Sequence, residues 1–250
     1  MAKVICIANH KGGVGKTTST AHLAKALSCM DKQVLMIDLD AQANLTSIFM
    51  KGVPGLTISD SLVNNTPLAE AVIAVDEHLH LIPSSLALAS ADYYLNSRIS
   101  REHILRKLIN PVRDAYDYII LDCPPALSLI TTNAFVATDA IFIPLMAEAL
   151  PMFGLKMLQQ VINDVKDLNP TLAITAVFFN RFHNRKLDHS ILEAVSEQYG
   201  DIVMDTKIRE NVAAAEAPLS NQTTFDYAPN SNAAKDYADL VTELIKKGKL

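Results

Sequence analysis

The stretch Val4-Ile5-Cys6-Ile7-Ala8-Asn9-His10-Lys11-Gly12-Gly13-Val14-Gly15-Lys16-Thr17-Thr18 decides how this chain folds. The unbroken apolar run from Val4 to Ala8 predicts a strand buried on both faces, as in the middle of a parallel sheet. Lys11 to Thr18 follow directly, ahead of a segment with helical spacing. Glycines let the backbone curl until successive N–H groups converge on an anion, and a helix behind them adds its positive end. Gly12, Gly13, Val14, Gly15, Lys16, Thr17 and Thr18 therefore read as a phosphate-binding loop, with Lys16 on the phosphates and Thr17 on Mg²⁺. The register fits G-x-x-x-x-G-K-[ST] with one departure: His10 stands at the first glycine, and Lys11 is an additional lysine inside the loop.

Outward from the loop, short apolar runs alternate with amphipathic stretches, the pattern of a parallel sheet covered by helices. Leu23, Leu27 and Met30 fall on one side of the helix behind the loop. Val34 to Ile37 is a second buried strand, ending in Asp38-Leu39-Asp40-Ala41-Gln42. Two carboxylates thus emerge at the carboxyl edge of the sheet, where ligands bind in open α/β folds. Alternation predicts that Asp38 and Asp40 share a side and both face a Mg²⁺–phosphate group. Tyr118 to Leu121 delivers a third acid, Asp122, to the same edge, and Pro124-Pro125 stop the strand. An apolar strand ending in aspartate is a Walker B element, whose carboxylate holds a water of the metal.

These strings, K-G-G-V-G-K-T-T at 11–18, D-L-D-A-Q at 38–42 and D-C-P-P at 122–125, resemble those of the ParA/MinD family of deviant Walker A ATPases. Thr206-Lys207-Ile208-Arg209-Glu210-Asn211-Val212 with Glu216-Ala217-Pro218 resembles the family's T-x-I-P-R-N-V…E-A-P, so the likeness covers nearly the whole chain. It implies a doubly wound, mostly parallel α/β P-loop NTPase that binds ATP and Mg²⁺ and closes into a face-to-face homodimer. Lys11 would reach across the dimer to the partner's nucleotide, Lys16 would hold the phosphates, and Asp40 would position the attacking water. Asp122 would serve the metal with Thr17, Asp38 would support the metal's water shell or the loop, and Asn180 and Arg209 would lie on the adenine side. The biology implied is partition of plasmid or chromosome DNA, with a ParB-type partner and non-specific binding of double-stranded DNA. The alternative is a MinD-like or cargo-positioning switch on a membrane or protein scaffold. Arg209-Glu210 replaces the usual proline-arginine pair, and Ala213 to Ala215 replaces a stretch that often carries a basic residue for DNA.

With 250 residues, 50% of them hydrophobic and 20% charged, one large ATPase domain spanning 1–250 is expected, without an N-terminal helix-turn-helix. No apolar run approaches the ~20 residues of a membrane span and no leader pattern opens the chain, so a cytoplasmic protein is expected, nucleoid-associated if it binds DNA. A formal charge of −5 leaves DNA contact to local cations. Arg181, Arg185 and Lys186 are candidates, together with Lys246, Lys247 and Lys249, which otherwise read as a solvated helix end. The lysines are followed by too little apolar sequence for a membrane-anchoring helix. Cys6, Cys29 and Cys123 lack metal or disulfide spacing and read as reduced, buried thiols. His78, His80, His183 and His189 lack ligand-spaced partners and read as structural. Further expectations are helices over 57–63, 67–75, from Ser84 through Tyr93-Tyr94 with those tyrosines packed inward, 101–109, 152–168 and 231–245, and strands over 79–82, 140–144 and 172–179.

Overall fold

The computed structural model describes residues 1–148 and 151–250. Among them one sheet is built from β1 (Lys3–Ile7), β2 (Val34–Asp38), β3 (Ile73–Ala74), β4 (Leu79–Ile82), β5 (Tyr118–Asp122), β6 (Ala140–Leu145), β7 (Ile174–Phe182) and β8 (Val203–Arg209). The strand order is β3-β4-β2-β5-β1-β6-β7-β8, every pairing parallel except that of the edge strand β3 with β4. The winding reverses at β1, whose neighbours are β5 and β6, so the crevice of this doubly wound sheet opens where β1 ends.

Parallel strands need long crossovers, and helices supply them. They are α1 (Lys16–Ser28), α2 (Asn44–Phe49), α3 (Ile58–Asn64), α4 (Ala91–Asn96), α5 (Ile104–Ile109), α6 (Leu129–Ala137), α7 (Pro151–Val165), α8 (Lys186–Tyr199), α9 (Val212–Glu216), α10 (Thr224–Tyr227) and α11 (Asn232–Lys246). The central strands are apolar throughout because each face feeds a separate core. Val4 and Cys6, Leu35 and Ile37, and Ile119 and Leu121 enter one. Ile5 and Ile7, Val34 and Met36, and Ile120 enter the other, under α1 and α11.

Several local expectations are corrected. Met30 lies beyond the end of α1 and is exposed, because Asp31 adopts a left-handed φ of 58° that turns the chain toward β2. Over 67–75 only Leu68–Ala71 forms a helical turn, and Ile73–Ala74 instead adds the antiparallel edge strand. Tyr93 and Tyr94 do not pack inward: both are exposed and meet each other edge to face, with ring centroids 5.5 Å apart. The strand expected over 172–179 runs from Ile174 to Phe182, and the helix expected from Met152 is Pro151–Val165, with residues 149–150 lying outside the described residues. Cys29 is exposed, and Cys6 and Cys123, remote in sequence, bring their sulfurs to 2.9 Å in the core.

Candidate functional site

The loop between β1 and α1 is held by side chains on both flanks. Asn9 donates from Nδ2 to the carbonyl of Pro144 at 2.9 Å and accepts from the Lys11 N–H at 3.0 Å, tying the loop to the end of β6. His10 replaces a glycine without distorting the loop because its ring leaves it altogether and rests on α7. A Cβ placed on Gly154 would lie 2.4 Å from the His10 ring. At the helix start, Gly15 has φ 90° and ψ 28°, a left-handed conformation, and Asn180 from β7 is pressed against it. Asn180 Nδ2 donates to the carbonyl of Val14 at 3.0 Å.

Lys16 is almost fully buried, and its Nζ folds back to donate to the carbonyl of Lys11 at 3.0 Å. Burial pulls its ammonium below the ordinary lysine range, with Asp122, Cys123 and Asp40 acting the other way. The half-exposed Lys11 side chain pairs within the chain with Glu148, just past the end of β6. Glu148 carries no signal in the loop motif and was not anticipated as its partner.

A cleft of about 500 Å³ opens over the loop and brings together Lys16, Thr17, Thr18, Asp40 and Pro125. Beneath it Asp122 is completely buried, and Oδ1 accepts from the Thr20 hydroxyl at 3.3 Å. Oδ2 has no hydrogen-bond partner. Burial first, then the charge of Asp38, push the Asp122 carboxyl well above the usual carboxylate range, with Thr17 and Lys16 opposing. A buried carboxylate oxygen without a partner fits a cation or its water, so the donor set Thr17–Asp122 suits Mg²⁺.

Asp38 does not join that set. Strand β2 ends at Asp38, so alternation no longer governs Asp40, and the two carboxylates part. Asp38 is fully buried; Oδ1 accepts from the Asp40 N–H at 3.1 Å, and Oδ2 accepts from Thr46 N–H at 2.9 Å and Thr46 Oγ1 at 2.7 Å. Its carboxyl is pushed up to about 6 by burial, against the hydrogen bonds of Thr46 and Asp40. Of the two roles expected for Asp38, its hydrogen bonds fit the second, an anchor for the loop that carries Asp40, and leave neither oxygen turned to the metal. Asp40 itself faces the cleft, with Oδ1 accepting from the Gln42 N–H at 3.0 Å.

On the other side of the loop lies a second cavity of about 350 Å³, sharing Gly13, Gly15 and Thr18 with the first. Asn180, Ile208, Arg209 and Tyr237 line it. Asn180 reaches it, but both ends of its amide are also engaged with backbone, Oδ1 accepting from the Arg181 N–H at 3.0 Å. Arg181 has a left-handed φ of 51° where the β7–β8 register shifts, and this irregularity turns Asn180 toward the loop. Arg209 is fixed by Asp236, its backbone N–H at 2.9 Å and its Nη2 at 2.5 Å from that carboxylate.

The two basic clusters do not form one patch. Arg181, in the last residues of β7, and Arg185 and Lys186 just past it lie at the carboxyl end of that strand, whereas Lys247 pairs with Asp205 at the start of β8 and the Lys249 carbonyl accepts from Lys3 at the start of β1. With β7, β8 and β1 pointing the same way, the clusters sit at opposite edges of the sheet. Arg181 is also engaged by Glu210 at 2.7 Å, and Lys247 by Glu243 at 2.8 Å. His78, His80, His183 and His189 are held by Gln33, Tyr116, Glu210 and Asn184, and the described residues contain no cluster of metal-ligating side chains. No helix among them is long and apolar enough to cross a membrane.

Residues 2–174 match a protein family described as an AAA domain. The chain is 37% identical over 253 residues to the sporulation initiation inhibitor protein Soj of Bacillus subtilis, covering 99% of this chain and 100% of that protein. It is 34% identical over 250 residues to the chromosome-partitioning ATPase Soj of Treponema pallidum, covering 99% and 98%. Among solved structures, cobyrinic acid a,c-diamide synthase from Mycobacterium smegmatis with bound ADP and magnesium superposes with a TM-score of 0.87 at 26% identity, covering 100% of this chain and 96% of that one. A loop closed by Gly15-Lys16-Thr17 at the switch point of a doubly wound sheet, with this extent of likeness, means that the chain belongs to the ParA/Soj-type P-loop ATPases.

Proposed function

We propose that this chain is an ATP-dependent dimerising switch. The triphosphate would lie on the loop in the larger cleft, held by Lys16 and the N–H groups of residues 12–18, and Thr17 and Asp122 would hold the metal. The nucleoside occupies the smaller cavity beside Asn180 and Arg209. Mg²⁺, when bound, neutralises phosphate charge that would otherwise repel a nucleophile. Asp40 positions the attacking water, and slow hydrolysis yields ADP and phosphate. In the ATP state Lys11 leaves Glu148 and reaches the nucleotide of a facing copy. One observation carries this reading: the unpartnered, buried Oδ2 of Asp122 beneath a cleft that also holds Lys16, Thr17 and Asp40.

The test is Mg²⁺-dependent ATP binding and hydrolysis by the parent and by Lys16→Ala. Loss of binding in a folded Lys16→Ala protein is expected, because the cation most deeply set in the cleft is removed. Parental affinity in that variant refutes the site.

The biological reading is ParA-like partition of plasmid or chromosome DNA in the cytoplasm, with a ParB-type partner and non-specific DNA binding; the relative in Treponema pallidum is named a chromosome-partitioning ATPase. A second reading, a positioning switch on a protein scaffold or membrane, gains support from the engagement of Arg181 by Glu210 and of Lys247 by Asp205 and Glu243. Co-sedimentation with duplex DNA against salt separates them. If DNA is the surface, ATP promotes binding, and alanines in only one basic cluster reduce it and flatten its salt dependence. Equal binding with ADP, or none at low salt by a proven ATP dimer, favours the scaffold.

A further inference from the structure

We propose that Thr46 is a positioning residue for hydrolysis, setting the backbone that carries Asp40 through Asp38. Thr46 is buried, does not line the cleft, and occupies the third position of α2, where a helical N–H has no partner inside its own helix. The preceding Ala43 offers no side-chain cap. Asp38 supplies one from β2, taking the Thr46 N–H at 2.9 Å on the same Oδ2 that takes the Thr46 hydroxyl at 2.7 Å. The hydroxyl also accepts from the Ser84 N–H at 2.8 Å. A hydroxyl has a single proton and an amide N–H can only donate, so the direction is fixed: Ser84 N–H gives to Thr46 Oγ1, and Thr46 gives to Asp38.

Asp38 passes this constraint on, its other oxygen holding the Asp40 N–H at 3.1 Å. Ser84, two residues past β4, is thereby linked to the backbone of Asp40 by an unbroken, buried chain of hydrogen bonds. The chain is over-determined at its far end by the Asp40 carbonyl, which accepts from Ala43 N–H at 2.9 Å. Removing the hydroxyl leaves Ser84 N–H without its acceptor and Asp38 Oδ2 with one donor in place of two. The carboxylate is then held by a single N–H on each oxygen, and the approach of Asp40 to the cleft is less tightly fixed. No nucleotide contact is removed, so the loss falls on turnover and spares binding.

This inference rests on the role given to Asp40 above, and the experiment distinguishes the two. Steady-state ATP hydrolysis, ATP affinity and ATP-dependent dimerisation are measured for Thr46→Val, Thr46→Ser and Asp40→Ala in the full chain. Thr46→Val is expected to lower kcat roughly tenfold to a hundredfold, the range for losing a hydrogen bond to a buried charge, while KM for ATP and dimer formation stay as in the parent. Thr46→Ser, which keeps the hydroxyl, is expected to restore kcat, and hydrogen exchange across 39–46 is expected to speed up in Thr46→Val only. Parental kcat in Thr46→Val with an inactive Asp40→Ala overturns the role of Thr46 and leaves that of Asp40 intact. Parental hydrolysis by Asp40→Ala overturns both. If Thr46→Val does not fold, Thr46→Ala carries the same expectation; failure of both to fold while Thr46→Ser folds makes the hydroxyl a folding element and overturns the positioning role.

Discussion

Gly15→Ala tests how the loop is held, and its cost follows from two separable features of the structure. The first is conformational: at φ 90° and ψ 28° an L-residue brings its Cβ against its own carbonyl, worth about 1–2 kcal/mol. The second is contact: the new Cβ would lie 1.9 Å from Asn180 Nδ2 and 3.2 Å from its Cγ. Asn180 must swing away, giving up its bond to Val14 and the packing around it, which adds about 1–3 kcal/mol for a buried amide left unpaired. Gly15→Ala is therefore expected to destabilise by about 2–5 kcal/mol, the sum of those ranges. Asn180→Ala alone should cost about 1 kcal/mol for the lost hydrogen bond. In the double variant the overlap is gone, so only the backbone cost and the lost bond remain. A double-mutant cycle by urea denaturation without nucleotide should thus show the pair less destabilised than the sum, by about 1–3 kcal/mol. ATP affinity should fall in Gly15→Ala and recover only partly in the pair, since the loop keeps its strained start. Additivity within about 0.5 kcal/mol would refute the claim that Asn180 braces Gly15.

Lys11→Ala should leave ATP affinity near the parent's and abolish the ATP-dependent dimer seen by size exclusion, because facing triphosphates repel unless a cation crosses between them; a normal dimer in that variant removes Lys11 from the interface. Asp40→Ala should bind ATP and accumulate as a persistent ATP dimer, and a monomer hydrolysing at the parental rate refutes the role of Asp40. His22 provides a pH test of the fold: it is buried and neutral, donating from Nδ1 to the Thr18 carbonyl while Nε2 accepts from Thr224 N–H. Burial, opposed by the Thr18 contact and Asp226, lowers it from 6.5 to about 4. The unfolded chain then binds the extra proton first, so stability holds above pH 6.5, falls as pH drops from 6.5 toward 4, and levels off below; the total loss is about 3 kcal/mol. Urea midpoints of the parent and His22→Gln should converge across that window, and parallel curves refute the assignment.

Much of the sheet was legible because a central parallel strand buries both faces and so leaves an unbroken apolar run. β1, β2, β5 and β6 were all found in this way, and their alternate residues do enter different cores. Legibility failed where the same residues satisfy two periods. Leu68, Ala71 and Val72 have helical spacing, yet the chain forms one turn and then pairs Ile73 and Ala74 with β4, because an exposed sheet edge was there to be covered. Helical spacing likewise carried α1 through to Met30, although a single left-handed residue, Asp31, ends it.

In the site, the residues that could be read are those whose chemistry is carried by consecutive positions: Gly12 to Thr18, Asp40 after its strand, and Asp122 before its prolines. What sequence could not supply is the set of contacts that aim them, since Asn9 on Pro144, His10 against Gly154, Asn180 on Val14 and Lys11 with Glu148 each join segments separated by more than a hundred residues. Asp38 shows how the two kinds of information interact. Its place at the end of β2 was foreseen, and alternation then assigned it to the metal, but alternation holds only while the strand continues. Leu39 N–H still reaches the Asp122 carbonyl, but beyond it the backbone turns, the N–H groups of Asp40 and Thr46 have no ladder partner, and the buried carboxylate takes them. Asp122 ends its strand in the same register opposite Asp38 but has no such turn to cap, and its Oδ2 is left over. Paired in register and alike in burial, the two aspartates differ in their hydrogen bonding because the backbone after each one needs something different.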